Sequence, residues 1–365
     1  MEIHSAKLQE SATESGASVF KVDYFKRSAY LAQSPQTSKE IAIAADFERV
    51  YEIGPVFRAE NSNTHRHMTE FTGIDLEMVI EHHYHEAMNI IDGLLKHVFK
   101  GLNEKFKDAI EKVKMQYPHE TFVYPEKTIV LTFKEGVKML REDGWGLTPD
   151  KEVDELEDLS TRAEVRLGQL VKAKYGTDYY ILDKFPRAAR PFYTMPDADD
   201  PNVANAFDIF CRGEEILSGG QRLHSATAME SSMWASNIDP KEMQEYLNAY
   251  KWGMPPHAGG GLGLERLTML FLGLGNIRAA SMFPRDPRSF ANNPLITDVR
   301  RGAGAGNVPV PARGVPAFDE PDSLSKDGLY RPDEHPSLPE LIATYGDSTN
   351  TGELVFFCQV DRTDH

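Results

Sequence analysis

Arginine, carboxylate and aromatic residues crowd the stretch from Arg58 to Glu77, and strand geometry explains how they would meet. If Phe71 to Val79 is extended, alternation puts Ile74, Leu76 and Met78 on one face and Phe71, Asp75 and Glu77 on the other. A half-buried strand with a solvated polar face is the plain reading of that pattern. Against it stand the preceding Arg58-Ala59-Glu60 and a loop holding His65, Arg66 and His67. A nucleotide calls for such a set: guanidinium for phosphate, a ring for stacking, an acceptor for the exocyclic amine.

Three further stretches carry chemistry. In Asp208 to Arg222 (DIFCRGEEILSGGQR) a hairpin turning at Arg212-Gly213 places Asp208 and Glu215 on adjacent strands. Two carboxylates so placed suit Mg²⁺ against a polyphosphate; a salt-bridged hairpin is the alternative. Gly219-Gly220, between Ser218 and Arg222, fits close approach of backbone to a ligand or simply a tight turn. Pro255 to Arg266 is glycine-rich but is neither a Walker loop nor a dinucleotide fingerprint. Arg266 falls in the first turn of the helix that follows, where the macrodipole disfavours a cation unless an anion is bound. Gln33 to Lys39 repeats that conflict, with Lys39 near a helix start.

The elements that must position these residues can be read from periodicity. Tyr51 to Arg58 and Phe71 to Val79 are expected strands around a polar loop, and Ala206 to Ser218 a second strand pair. His85 to Phe106 has helical apolar spacing, as do Leu267, Leu270, Phe271 and Leu274. Thr148-Pro149, a hydroxyl cap followed by proline, is expected to lead into a charged helix over Lys151 to Tyr175. Arg300 to Pro339 is rich in Gly, Pro, Ala, Asp and Ser without period, so 289–365 is expected to be linker or disordered tail behind a domain over 1–288. Leu354 to Val360 could form one strand.

Composition narrows the class. The 365 residues include no run of eighteen apolar side chains, and two cysteines, Cys211 and Cys358, cannot make a disulfide framework. A reducing cytoplasm and no membrane span are the expectations. The net charge of −16 argues against affinity for nucleic acid through a general basic surface, though not against one local basic groove.

In this order, the four segments resemble a class II aminoacyl-tRNA synthetase, most closely the aspartyl-tRNA synthetases of eukaryotic cytosol. The resemblance runs from Met1 to about Arg288. It is most specific in GPVFRAENSNTHRHMTEFTGIDLEM (Gly54 to Met78) and GGGLGLERL (Gly259 to Leu267), while QSPQTSK and RGEEILSGGQR point to aspartate within the class. It implies an α+β fold: an antiparallel sheet flanked by helices, with an irregular C-terminal tail. It also implies a ligase that makes aspartyl-adenylate from L-aspartate and ATP and passes aspartate to tRNA(Asp).

Carried residue by residue, the resemblance makes Arg58 and Arg266 the catalytic cations. Arg58 would hold the α-phosphate, Glu60 the adenine amine, and Phe71 and Arg266 the two adenine faces, with Arg66 and His67 near the γ-phosphate and the tRNA acceptor end. Asp208 and Glu215 would bind Mg²⁺. Lys39 and Arg222 would pair with the aspartate side chain, and Glu14, Ser34, Gln36, Asp75 and Ser218 would position its other atoms. The family's anticodon-binding OB domain and first-motif helix have no counterpart in these residues, although that helix helps build the family's homodimer. Two other outcomes are open: an amide-forming ligase similar to asparagine synthetase A, or a non-catalytic module of a larger tRNA-dependent transferase.

Overall fold

The computed structural model describes residues 1–10, 19–148 and 151–290. Glu14, most of the expected tail and the expected strand at Leu354 to Val360 lie outside the described residues.

In chain order the elements are β1 (Leu8–Gln9), β2 (Lys21–Tyr24), β3 (Arg27–Leu31), α1 (Gln36–Ala44), β4 (Arg49–Phe57), β5 (Glu70–Val79), α2 (His85–Lys105), α3 (Lys107–Gln116), β6 (Ile129–Thr132) and α4 (Phe133–Glu142). After these come α5 (Thr161–Tyr175), β7 (Tyr179–Asp183), β8 (Ala206–Cys211), β9 (Glu214–Gln221), α6 (Ala226–Ala235), α7 (Gln244–Lys251), β10 (His257–Gly263) and α8 (Leu264–Phe271). Seven strands form one sheet in the order β4-β5-β10-β9-β8-β7-β6, every neighbouring pair antiparallel except β6 and β7. The expected α+β architecture is what the chain adopts.

Three apolar clusters hold the layers together. Ile91, Leu95 and Phe99 of α2 and Leu267 and Leu270 of α8 pack on one side of the sheet with Phe207 and Ile209. Val137 and Leu140 of α4 and Leu167 and Val171 of α5 pack with Tyr180 and Leu182 of β7. Ile43 of α1 meets Met229 and Met233 of α6 and Leu247 of α7. Burying each such side chain contributes about 1.5–3 kcal/mol relative to exposure.

Two expectations need correction. The charged helix starts at Thr161, ten residues beyond Lys151. Asp154 and Asp158 accept hydrogen bonds from the backbone N–H groups of Leu156 and Leu159, a local alternative to helical pairing. The Ser160 side chain then caps the helix by accepting from Ala163 N–H. On β5, Met78 is buried and Ile74 and Leu76 are half-buried, whereas Asp75 and Glu77 are buried outright. The carboxylate face is therefore interior and not solvated.

The hairpin between β8 and β9 turns at Arg212 and Gly213, both with positive φ (50° and 81°), and its tip rests on α5. A Cβ on Gly168 of α5 would lie 2.3 Å from Gly213 Cα, closer than any real contact. Gly93 of α2 has nothing within 4 Å of the same position. Gly168→Ala should therefore destabilise the fold by about 1–3 kcal/mol, while Gly93→Ala should be neutral or stabilising by up to about 1 kcal/mol. Urea midpoints of the two variants against the parent chain check this; equal midpoints would mean that helix and hairpin tip can separate without cost.

Candidate active site

The glycine run His257–Gly263 is itself a strand, β10, lying between β5 and β9. Gly259 pairs with Glu77 and Gly220, and Gly261 with Asp75 and Ser218. A Cβ on Gly259 would sit 2.5 Å from a Glu77 carboxylate oxygen, and one on Gly261 2.9 Å from Asp75 Oδ1. Side chains on β10 would fill the volume in which the β5 carboxylates lie.

Over this floor opens a cavity of about 390 Å³, within the range of small-ligand sites. Twelve of the residues singled out from sequence line it: Ser34, Gln36, Arg58, Glu60, Arg66, His67, Phe71, Asp75, Glu215, Ser218, Arg222 and Arg266. Lys39 and Asp208 do not; both are buried behind its wall.

One end of the cavity is cationic. Arg58 lies over the Phe71 ring, its Cζ 5.6 Å from the centroid, a cation–π arrangement. Arg266, in the first turn of α8, donates to the Glu215 carbonyl (3.0 Å) and the Arg66 carbonyl (3.3 Å). Burial lowers its pKa, with Arg66 and Arg58 adding repulsion against the attraction of Glu215 and Glu214. His67 records the same field: burial, then Arg266, Arg66 and Arg58, push its pKa down to about 4. The ring is neutral near pH 7. Arg66 is held by α5, donating to Glu164 (2.6 Å) and to the Thr161 hydroxyl (2.8 Å).

The other end is a buried charge lattice. Lys39, with no exposed surface, donates to Asp75 Oδ1 (3.0 Å) and stands 3.6 Å from Glu77. Arg222, which lines the cavity, donates from Nε to Glu77 (3.2 Å) and from Nη2 to Glu77 and to Gln36 Oε1 (both 3.4 Å). Burial is the largest single influence and works against the Arg222 charge, but Glu77, Tyr193 and Glu40 together outweigh it, so its pKa is raised. Glu40, also fully buried, accepts from the Gln36 amide (2.5 Å) and from the Tyr246 and Tyr250 hydroxyls. The two expected cations are thus partnered within the protein. Lys39 acts from behind the carboxylates and does not face the cavity.

Asp208 was expected to face a metal ion with Glu215. Both of its oxygens instead accept from Arg190 (2.9 and 2.7 Å), and burial pushes its pKa up to about 7 despite that partner. Among the described residues no group of three His, Cys, Asp or Glu side chains is arranged to hold a metal. Of the expected pair only Glu215 lines the cavity, and Asp208, tied up by Arg190 behind the wall, does not present a second carboxylate to a Mg²⁺ ion in this arrangement.

Arg190 and Glu164 were not legible as site residues. The clue to Arg190 was its place directly before Pro191, which pins its backbone in an extended conformation. Glu164 sits in the first turn of α5, whose start was misplaced.

Residues 1–287 match the family model described as tRNA synthetases class II (D, K and N). The chain is 54% identical over 288 residues to the cytoplasmic aspartate--tRNA ligase of Caenorhabditis elegans, covering 79% of this chain and 53% of that protein. For the Homo sapiens counterpart the figures are 53%, 79% and 56%. Among solved structures it is similar to the aspartyl tRNA synthetase from Entamoeba histolytica, with TM-score 0.69, 45% identity, and coverage of 78% of this chain and 54% of that one. It is also similar to the asparaginyl-tRNA synthetase from Pyrococcus horikoshii complexed with asparaginyl-adenylate, with TM-score 0.71, 30% identity, and coverage of 78% and 63%. The chain spans about half the length of the curated relatives it matches.

Glu164 gives the site a measurable pH signature. Burial lifts its pKa from the ordinary 4.5 to about 7, Arg66 opposing and Glu215 adding. A carboxyl that is protonated when folded but ionised when unfolded contributes stability that is full below about 4.5 and lost as pH rises to about 7. Glu164→Gln should flatten that fall in the urea midpoint between pH 5 and pH 7. An undiminished slope in the variant would show that Glu164 is not the group responsible.

Proposed function

Since the chain belongs to the class II tRNA synthetases (D, K and N), we propose that its cavity activates L-aspartate with ATP and delivers the aspartyl group to the acceptor end of tRNA(Asp). The observation that carries this reading is one cavity with three arginines and Phe71 at one end and Arg222 at the other. Polyphosphate suits the first end and a small dicarboxylate the second.

In this reading adenine lies between Phe71 and Arg266, with its amine on Glu60. Arg58 holds the α-phosphate, and Arg66 swings from Glu164 to the γ-phosphate, where neutral His67 adds no further charge. The aspartate side chain meets Nη1 of Arg222, which Glu77 and Gln36 hold in place, while Ser34, Gln36, Asp75 and Ser218 frame its remaining polar atoms and Glu14 is assigned with them. Mg²⁺, which would supply neutralisation of the phosphate charge, would meet Glu215 at the cavity wall, and Asp208 only if Arg190 releases it.

The aspartate α-carboxylate oxygen attacks the α-phosphorus, the bond to the β-phosphate oxygen breaks, and diphosphate leaves. The attacking group is already ionised, so no general base is needed. Catalysis is positioning plus stabilisation of charge on the α-phosphate by Arg58. A ribose hydroxyl of the tRNA end then attacks the acyl carbon and AMP departs. The curated relatives are named cytoplasmic, which supports the same compartment here. A homodimer, built in the family partly by the first-motif helix, remains part of the reading for the whole protein.

Aspartate-dependent exchange of labelled diphosphate into ATP tests the first step, and acylation of tRNA tests the second. Arg222→Leu should lower exchange at least about 100-fold, since it leaves Glu77 buried without its main partner and removes the donor to substrate. Wild-type exchange that ignores aspartate would overturn the reading. Release of asparagine when ammonia is added would replace it with an amide-forming ligase.

A further inference from the structure

Glu40 is a fully buried carboxylate on α1 that the proposed chemistry does not use. It lies one helical turn after Gln36, which lines the cavity, and accepts from the Gln36 amide nitrogen at 2.5 Å. Its other oxygen is enclosed by side chains from two further elements. Tyr246 and Tyr250 of α7 donate their hydroxyls to it, and His257 at the start of β10 stands 3.7 Å away. Burial, the largest influence, opposes ionisation of Glu40, but His257, Arg222 and Tyr246 outweigh it and hold its pKa below the ordinary carboxylate range. The two hydroxyls already meet each other at 2.9 Å, so a tyrosine pair alone does not call for a buried charge, whose desolvation is costly.

What the charge decides is the direction of the Gln36 amide. An ionised carboxylate only accepts, so the amide must turn its nitrogen toward Glu40. That nitrogen has two hydrogens, and both are engaged, by Glu40 and by Glu77 Oε2 at 3.4 Å. The carbonyl oxygen accepts from Arg222 Nη2 at 3.4 Å, which leaves it one lone pair. A ligand that reaches Gln36 therefore finds an acceptor and no donor. Asp75, an acceptor when ionised, lines the same cavity. Acceptors of this kind suit an ammonium group, while the carboxylates of a ligand need the guanidinium of Arg222.

We infer that Glu40 is a positioning residue that fixes Gln36 as a hydrogen-bond acceptor, and so fits the amino-acid end of the cavity to a dicarboxylate that also carries an ammonium group. This deepens the aspartate-activating reading above and rests on it. Glu40 is buried and does not line the cavity, so it acts through the Gln36 amide without touching the ligand.

The test is a calorimetric titration of the whole chain with L-aspartate and with succinate, which has the two carboxylates but no ammonium. Glu40→Gln removes the charge, so the Gln36 amide is free to turn either way. It should weaken aspartate about tenfold or more, the scale of one hydrogen bond to a charged group, and leave succinate within about threefold. Glu40→Asp keeps the buried charge but draws the acceptor back from Gln36. The same selective loss is expected there, and this variant serves if the glutamine variant does not fold. Thermal midpoints establish that each variant is folded. A purely structural carboxylate would weaken both ligands alike. That result in a folded variant, or no loss of aspartate binding, overturns the inference. Because the titration needs neither ATP nor turnover, its failure is distinct from an absence of aspartate-dependent diphosphate exchange, which would strike the functional reading itself.

Discussion

Two carboxylates in the middle of a sheet set the terms for the rest of this structure. Asp75 and Glu77 are buried on β5, and an ionised carboxylate in such a place is sustained only by partners. Lys39 from α1 and Arg222 from the end of β9 supply them. Those pairings tie α1 to β5 and bring the end of β9 toward the same carboxylates. The same carboxylates need room, and the glycines of β10 provide it. Lattice, helix placement and glycine run are therefore one device: no part is stable in its present form without the others.

The opposite end of the cavity follows a different rule. Arg58, Arg66 and Arg266 converge there, and His67 is depressed by all three. Like charges gathered in a partly dry site oppose folding, and a bound polyanion relieves that opposition. The contacts of Arg66 with Glu164 and Thr161, and of Arg266 with two carbonyls, hold the arginines in the absence of such an anion. The chain's net charge of −16 does not bear on this, because the cavity is a local assembly screened from the acidic surface.

Much of this was legible in the sequence, for a physical reason. β5 could be read because its two-residue period separates carboxylates from apolar side chains, and α8 because its apolar spacing follows a helix turn. What alternation does not reveal is which face is interior. Ile74 and Leu76 looked like core and are half-exposed, while Asp75 and Glu77 are the buried ones, because the partners that make their burial tolerable come from α1 and β9, far away in sequence. Lys39 and Asp208 lie behind the cavity wall and not at its surface, since sequence does not show that each already has a partner. Arg190 carried no periodic signal. The start of α5 was missed because Asp154 and Asp158 bond their neighbours' backbone, a competition that apolar spacing does not reflect.

On the proposed function, the lattice also changes how discrimination between aspartate and asparagine would work. Two unpaired cations waiting for a carboxylate would reject an amide by being left uncompensated. Here both cations are compensated by Asp75 and Glu77 before any substrate arrives. In that reading the ligand would meet the remaining donor of Arg222, whose guanidinium Glu77 and Gln36 hold. A preference for O⁻ over NH₂ would then be one of direction. An amide oxygen could accept from Nη1, but an amide nitrogen turned toward the guanidinium would set donor against donor in a dry site, where an unmade hydrogen bond costs about 1–3 kcal/mol. Discrimination of this kind depends on the guanidinium being unable to turn, and the full burial of Glu77, with its second cation Lys39 behind it, is what prevents it from turning.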